Sequence, residues 1–118
     1  MKSLVAGLTA CLIASSACAA EFANRYTVEG QSPGGGSPYE GQVVVKKTSD
    51  AIYEIVWTIG SDKFVGTGIG SPEGLAVGYK SGSDTGIAIY SEEKGGVITG
   101  FWTYAGGKQI GTEKWTPK

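Results

Sequence analysis

Between Ala51 and Ile59 the side chains sort by alternate position. Tyr53, Ile55, Trp57 and Ile59 fall on one face, and Glu54, Val56 and Thr58 on the other. A period of two with one apolar face predicts a half-buried β-strand. Similar short runs recur along the chain: Arg25–Glu29, Tyr39–Lys47, Lys63–Gly70, Leu75–Tyr79, Gly86–Tyr90, Val97–Tyr104 and Gln109–Trp115. Between them lie turn-forming clusters such as Thr48-Ser-Asp, Gly60-Ser-Asp, Ser71-Pro-Glu-Gly, Ser81–Thr85, Ser91–Gly96 and Ala105-Gly-Gly. Asp, Ser, Pro and Gly each favour a reversal for its own backbone reason. No window carries a helical apolar stripe, and 20 glycines argue against any long helix.

One stretch occurs twice. Ile52–Thr67 returns without a gap as Val97–Thr112, keeping Trp57/Trp102, Thr58/Thr103, Lys63/Lys108, Gly66/Gly111 and Thr67/Thr112. Each copy reads as a hairpin, so the repeat describes internal symmetry and carries no chemistry of its own. The copies differ inside the hairpins, with Gly68 against Glu113 and Phe64 against Gln109. Eight meandering strands joined by hairpin turns predict an all-β fold, an antiparallel up-and-down barrel of calycin or avidin-like form. Gly66, Gly68, Gly78 and Gly100 sit mid-strand, where glycine allows coiling or close approach. Closing the first strand onto the last would remove exposed edges. An open β-sandwich is the alternative.

Residues 1–20 read as a leader. Lys2 precedes an apolar run from Leu4 to Ala14, and Ala17-Cys18-Ala19 gives the small-x-small pattern of a signal peptidase site. The run is shorter than the roughly 20 residues that cross a bilayer. Ser15-Ser16-Ala17-Cys18 is a poorer match to a lipoprotein signal, because the large aliphatic residue at its start is missing. The expected product is a secreted or periplasmic chain with no transmembrane segment. Residues 21–38 would supply a first strand and the Ser32–Pro38 linker, and 39–118 the meander, in one domain.

Cleavage removes Cys11 and Cys18, and the chain has no histidine. The commonest general base, the thiol nucleophile and a Cys/His zinc site all disappear with them. Glu92 and Glu93 are neighbours in a turn, so their side chains do not converge as a carboxylate pair. Ser32–Ser37 and Gly66-Thr-Gly-Ile-Gly lack the helix that a phosphate loop opens. Asp50, Asp62 and Asp84 fit turns better than a calcium loop. The mature chain is therefore expected to be no enzyme and to hold no cofactor or metal. Lys2 is the leader's only charge, so its loss moves the net charge from −1 to −2. With both signs spread thinly, there is no footprint for nucleic acid.

Tyr39-Glu-Gly, Tyr53-x-x-x-Trp57-x-Ile59-Gly60, Gly66-Thr-Gly-Ile69, Leu75-Ala-Val-Gly-Tyr79, Gly86-x-Ala-x-Tyr90, Gly100-x-Trp102 and Gly111-Thr-Glu113 follow one another through the chain. In that order they resemble a family of small secreted bacterial proteins, mostly uncharacterised, some of which are labelled fibronectin-binding protein. The resemblance runs from Tyr39 to Trp115 and implies a binding role toward an extracellular matrix protein. It carries over no site residues.

The remaining candidates are aromatic and acidic. Trp57, Trp102, Tyr53 and Tyr104 share one phase under the repeat, and Trp115 joins them if the last strand turns the same way. Inward, they either fill the core or line a ligand pocket at one mouth, since eight strands leave room for side chains or one small ligand. A filled interior would mark a surface binder; a cavity of several hundred Å3 walled by Trp57 and Trp102 would mark a carrier. Glu113 shares a face with Gly111 and Trp115. Turned inward it needs a partner, and Arg25 on the adjoining first strand is the expected one, tying the seam; the other role is a ligand anchor. Phe101, Val97, Val44 and Val56 would then face outward. The function expected is a secreted non-enzymatic binding module for an extracellular protein such as fibronectin. The alternative is a carrier of a small apolar ligand. The sequence does not set the oligomeric state.

Overall fold

A computed structural model describes residues 21–118. The expected leader, its expected cleavage site and both cysteines lie outside the described residues. Eight antiparallel strands follow in order: β1 (Arg25–Gln31), β2 (Pro38–Ser49), β3 (Ile52–Ile59), β4 (Asp62–Ser71), β5 (Gly74–Ser81), β6 (Asp84–Glu92), β7 (Ile98–Tyr104) and β8 (Gly111–Pro117). Each pairs with the next, and β1 pairs with β8, so the sheet closes into an up-and-down barrel. The sandwich alternative is not needed. The closing seam matches Val28 to Trp115 and Gly30 to Glu113.

The strands form where alternation was read, but several run longer than expected. Gly30 and Gln31 extend β1 because they pair with β2 on one side and β8 on the other. Gly60 and Gly82 take φ of 63° and 61° at the first central position of two-residue turns. Primed hairpin turns want glycine there, and they match the strand twist. The Ser32–Pro38 stretch is no loose linker. Ser32 N–H donates to the Ser37 carbonyl at 3.0 Å, and Gly34 N–H donates to the Ile110 carbonyl at 3.2 Å. It is the tied loop of the β1–β2 hairpin. Ser91–Gly96 includes a short 3-10 turn, Lys94–Gly96.

The repeat maps onto two hairpins, β3–β4 and β7–β8, which face each other across the barrel. Their registers differ. Trp57 stands opposite Phe64, whereas Trp102 stands opposite Gly111, because the second turn takes in Ala105–Ile110. Strand β8 accordingly starts at Gly111, and Gln109 belongs to the loop.

Alternation decides the interior. Tyr26, Val28, Val43, Ile55, Ile98 and Trp115 are all under 2% exposed. Trp115 is the central ring, with Tyr90 at 4.4 Å, Tyr26 at 5.4 Å and Trp57 at 6.2 Å between centroids. One end of the barrel, where β3 begins and β8 ends, is packed shut by Tyr26, Tyr53, Leu75 and Ile98. Phe22 folds beneath it, edge-on to Tyr53 at 4.8 Å, and Ala23 N–H donates to the Tyr26 hydroxyl at 2.8 Å. The opposite end is built differently.

Candidate functional site

Glu113 lies at the base of the open end. It is 8% exposed and is the one buried charged side chain among the described residues. Its position in the ladder explains how it is held. Tyr90, Gly100, Glu113, Gly30 and Tyr39 form one row across five neighbouring strands, β6, β7, β8, β1 and β2. A glycine flanks the acid on each side, and a tyrosine stands one strand further out. A Cβ at Gly30 would collide with the Tyr39 ring, and one at Gly100 with the Tyr90 ring. Without side chains there, both rings lie over the glycines and reach the carboxylate.

The Tyr39 hydroxyl donates to Glu113 Oε2 at 2.6 Å, and the Tyr90 hydroxyl to Oε1 at 2.9 Å. Trp115 Nε1 donates to Oε1 at 2.9 Å from the same strand, and Trp57 Nε1 at 3.2 Å from across the barrel. Four neutral donors thus converge on one carboxylate. Hydrogen bonds to a charged acceptor are the strong ones, and they replace the water that the buried carboxylate loses. Arg25 is not among them. It is exposed and opposite Val44 at the far end of β1, whereas Glu113 stands opposite Gly30. The tie across the seam is aromatic, because the row brings tyrosines and not the arginine to the acid's level.

Around Glu113 the wall is aromatic. Tyr39, Trp57, Phe64, Tyr79, Tyr90 and Trp102 line a cavity of about 170 Å3, with Ile59, Ser32 and Asp62 toward the rim. The rings meet edge to face: Trp57–Tyr79 at 6.0 Å and 62°, Phe64–Tyr79 at 6.3 Å and 75°, Tyr79–Trp102 at 6.3 Å and 72°. Offset and T-shaped pairs are the favourable arrangement. The device of ring over glycine recurs: Trp102 lies on Gly111, and Tyr79 on Gly86, reaching the Thr103 carbonyl at 3.1 Å. Gly66 leaves room for Trp57. Gly78 has no such neighbour, because it faces outward.

Burial raises the Tyr79 hydroxyl to about 12, helped by the negative charges of Glu113 and Asp84. Burial and the adjacent Glu113 likewise push Tyr39 and Tyr90 well above the ordinary tyrosine range. One donor is left over. Trp102 Nε1 is the buried side-chain polar atom without a partner among the described residues. The Tyr39 hydroxyl is near enough to feel this N–H but is not placed to accept it. Buried donors are rarely unpaired, so an acceptor from outside the chain would improve this site.

Of the aromatic and acidic residues singled out from the sequence, Trp57, Trp102 and Glu113 meet here. Tyr53 does not: it is buried at the closed end against Phe22, because four residues along a strand separate it from Trp57. Nor does Tyr104, which is 49% exposed beyond Trp102 at the strand end. Phe64, singled out as a difference between the two copies, also lines the cavity, and the residues missed are Tyr39, Tyr79 and Tyr90. Their signal was present as tyrosines sharing phase with Val43, Val77 and Ala88 on their own strands. Outside the barrel, Phe101 and Val44 are exposed as expected, while Val56 and Val97 are partly covered.

The class of protein is thus an eight-stranded antiparallel barrel, closed at one end and open at an aromatic mouth with an acid at its base. No family model, curated protein or solved structure matches the chain. No helix among the described residues is long and apolar enough to cross a membrane. No group of three or more acids, histidines or cysteines there is arranged to hold a metal.

Proposed function

We propose that the mature chain is an exported, non-enzymatic binding module whose barrel mouth receives a small ligand. The observation that carries this reading is the aromatic cavity with an unpaired Trp102 N–H in its wall and Glu113 at its base. Preformed concave sites with apolar walls and a few convergent polar groups are the usual form of small-molecule sites. At about 170 Å3 the cavity is smaller than the several hundred expected of a carrier. A cavity of roughly 150 Å3 takes a benzene-sized molecule, so the ligand, or the part of it that enters, has about that bulk. Native mass spectrometry of the purified mature chain tests this, with Phe64→Trp as a variant that fills the partly covered mouth. A small molecule retained by the parent and lost from the variant supports the reading; equal retention contradicts it.

A second reading rests on the outer wall. Ile69, Ala76, Ile89 and Phe101 stand side by side on β4, β5, β6 and β7, and three of them are more than half exposed. Ile87, 66% exposed, adjoins them. A continuous apolar row of this kind suits a protein partner, and the resemblance noted above names a matrix protein such as fibronectin. Binding of the chain to immobilised fibronectin, abolished by Ile89→Ser with Phe101→Ser, would support it. Binding that survives both changes, or self-association in place of fibronectin binding, would count against it.

A further inference from the structure

We propose that the mouth selects a small organic cation, an ammonium group of about the bulk of tetramethylammonium. This inference rests on the small-ligand reading and adds the charge of the ligand. Three independent features point the same way.

The first is charge balance. Glu113 and Asp62 line the cavity, and no lysine, arginine or histidine does. All four groups that donate to Glu113 are neutral. Hydrogen bonds hold the carboxylate in place, but its charge has no counter-charge within the wall, and a buried charge interacts strongly with any ion that enters.

The second is the wall. Trp57, Tyr79, Trp102 and Phe64 meet near right angles, so ring faces and edges together box the space above the acid. Aromatic faces attract cations through their quadrupole, most strongly when the cation is desolvated, and cages of this kind hold quaternary ammonium groups. An anion would meet two carboxylates and the same ring faces, and is disfavoured by both.

The third is the pattern of hydrogen-bonding groups. Glu113 Oε2 accepts a single side-chain donor, Tyr39, whereas Oε1 accepts three. The less crowded oxygen is therefore the one with capacity for a ligand N–H or a polarised N–CH group. Trp102 Nε1 adds a donor without an acceptor, which suits a hydroxyl or carbonyl oxygen carried a few atoms from the ammonium.

The test uses three probes of nearly one shape: choline, its neutral isostere 3,3-dimethylbutan-1-ol, and the 3,3-dimethylbutyrate anion. Each is titrated into the mature chain at matched ionic strength, by calorimetry and tryptophan fluorescence. Choline is expected to bind at least tenfold tighter than the alcohol, with the anion weakest. Asp62→Asn, at the exposed rim where folding is unaffected, should weaken choline severalfold and leave the alcohol unchanged. Glu113→Gln should remove the preference, and Asp62→Asn decides if that variant does not fold. Equal or tighter binding of the alcohol would overturn the cation assignment while keeping a small-ligand mouth. Absence of binding by all three would overturn both.

Discussion

The two ends of this barrel follow the same alternation and reach opposite results. At the closed end, aliphatic residues and Tyr26 and Tyr53 interdigitate, Phe22 covers them, and Leu75 and Ile98 are at most 2% exposed. At the open end, large rings face glycines on neighbouring strands. A ring over a glycine lies along the wall and does not project to the axis, so space survives where six aromatics would otherwise fill it. Glycine content here sets the position of a cavity and not looseness of the chain.

Truncating a side chain at each end should separate the two most widely. Leu75→Ala at the closed end should cost about 3 kcal/mol, as buried aliphatic deletions do. That lowers the melting temperature by roughly 15 °C in a domain of this size. Phe64→Ala at the mouth, where the ring is only partly covered, should cost about 1 kcal/mol. Equal losses in thermal melts would mean that both ends are packed alike.

Glu113→Gln comes next. The carboxamide must turn an NH2 toward at least one hydroxyl or indole donor, leaving donors unmatched at a cost of about 2 kcal/mol. Chemical denaturation should show the loss without a change in slope. An unchanged midpoint would mean that the four donors do not hold the acid.

Gly100→Ala and Gly78→Ala form a third contrast within one barrel. The added methyl collides with the Tyr90 ring at Gly100 and meets nothing at Gly78. Overpacking should cost about 2 kcal/mol at the first site, and the second should lie within about 0.5 kcal/mol of the parent. A reversed order in melting temperature would contradict the inward and outward assignment.

A separate effect is set by pH. An unfolded tyrosine loses its proton near pH 10, whereas folded Tyr79 keeps it to about 12 and Tyr39 and Tyr90 also titrate late. A raised folded value gives stability that is complete below pH 10 and is lost as pH climbs toward 12. Melts at pH 8, 10 and 11, with phenolate absorbance followed alongside, should show falling stability and late-ionising tyrosines. Ionisation of Tyr39, Tyr79 and Tyr90 near pH 10 in the folded chain would contradict a buried acid beside them.

The contrast between ends shows what was legible in the sequence. Tyr53, Ile55 and Trp57 gave the strand and its inward face, and the turn clusters gave the meander, because both are local properties of spacing. The mouth was half visible. Trp57, Trp102 and Glu113 stood out by the repeat and by charge in an apolar phase. Tyr39 and Tyr90 join Glu113 only through register, since Gly30 and Gly100 fall beside the acid when the strands pair. Register depends on turn length, and the two copies of the repeat differ there: Trp57 faces Phe64 but Trp102 faces Gly111. The same cause led to Arg25, which lies on the correct strand at the wrong height.

Three tryptophans make the central claim directly measurable, because each contributes one indole N–H signal to a nitrogen-15 NMR spectrum. Trp57 and Trp115 donate to Glu113, and Trp102 has no partner. We expect two downfield, slowly exchanging indole signals and one upfield signal, and choline should shift those of Trp102 and Trp57 while leaving Trp115 in place. Three equivalent signals, or a spectrum that choline leaves unchanged, would contradict a hollow, cation-selective mouth above a packed core.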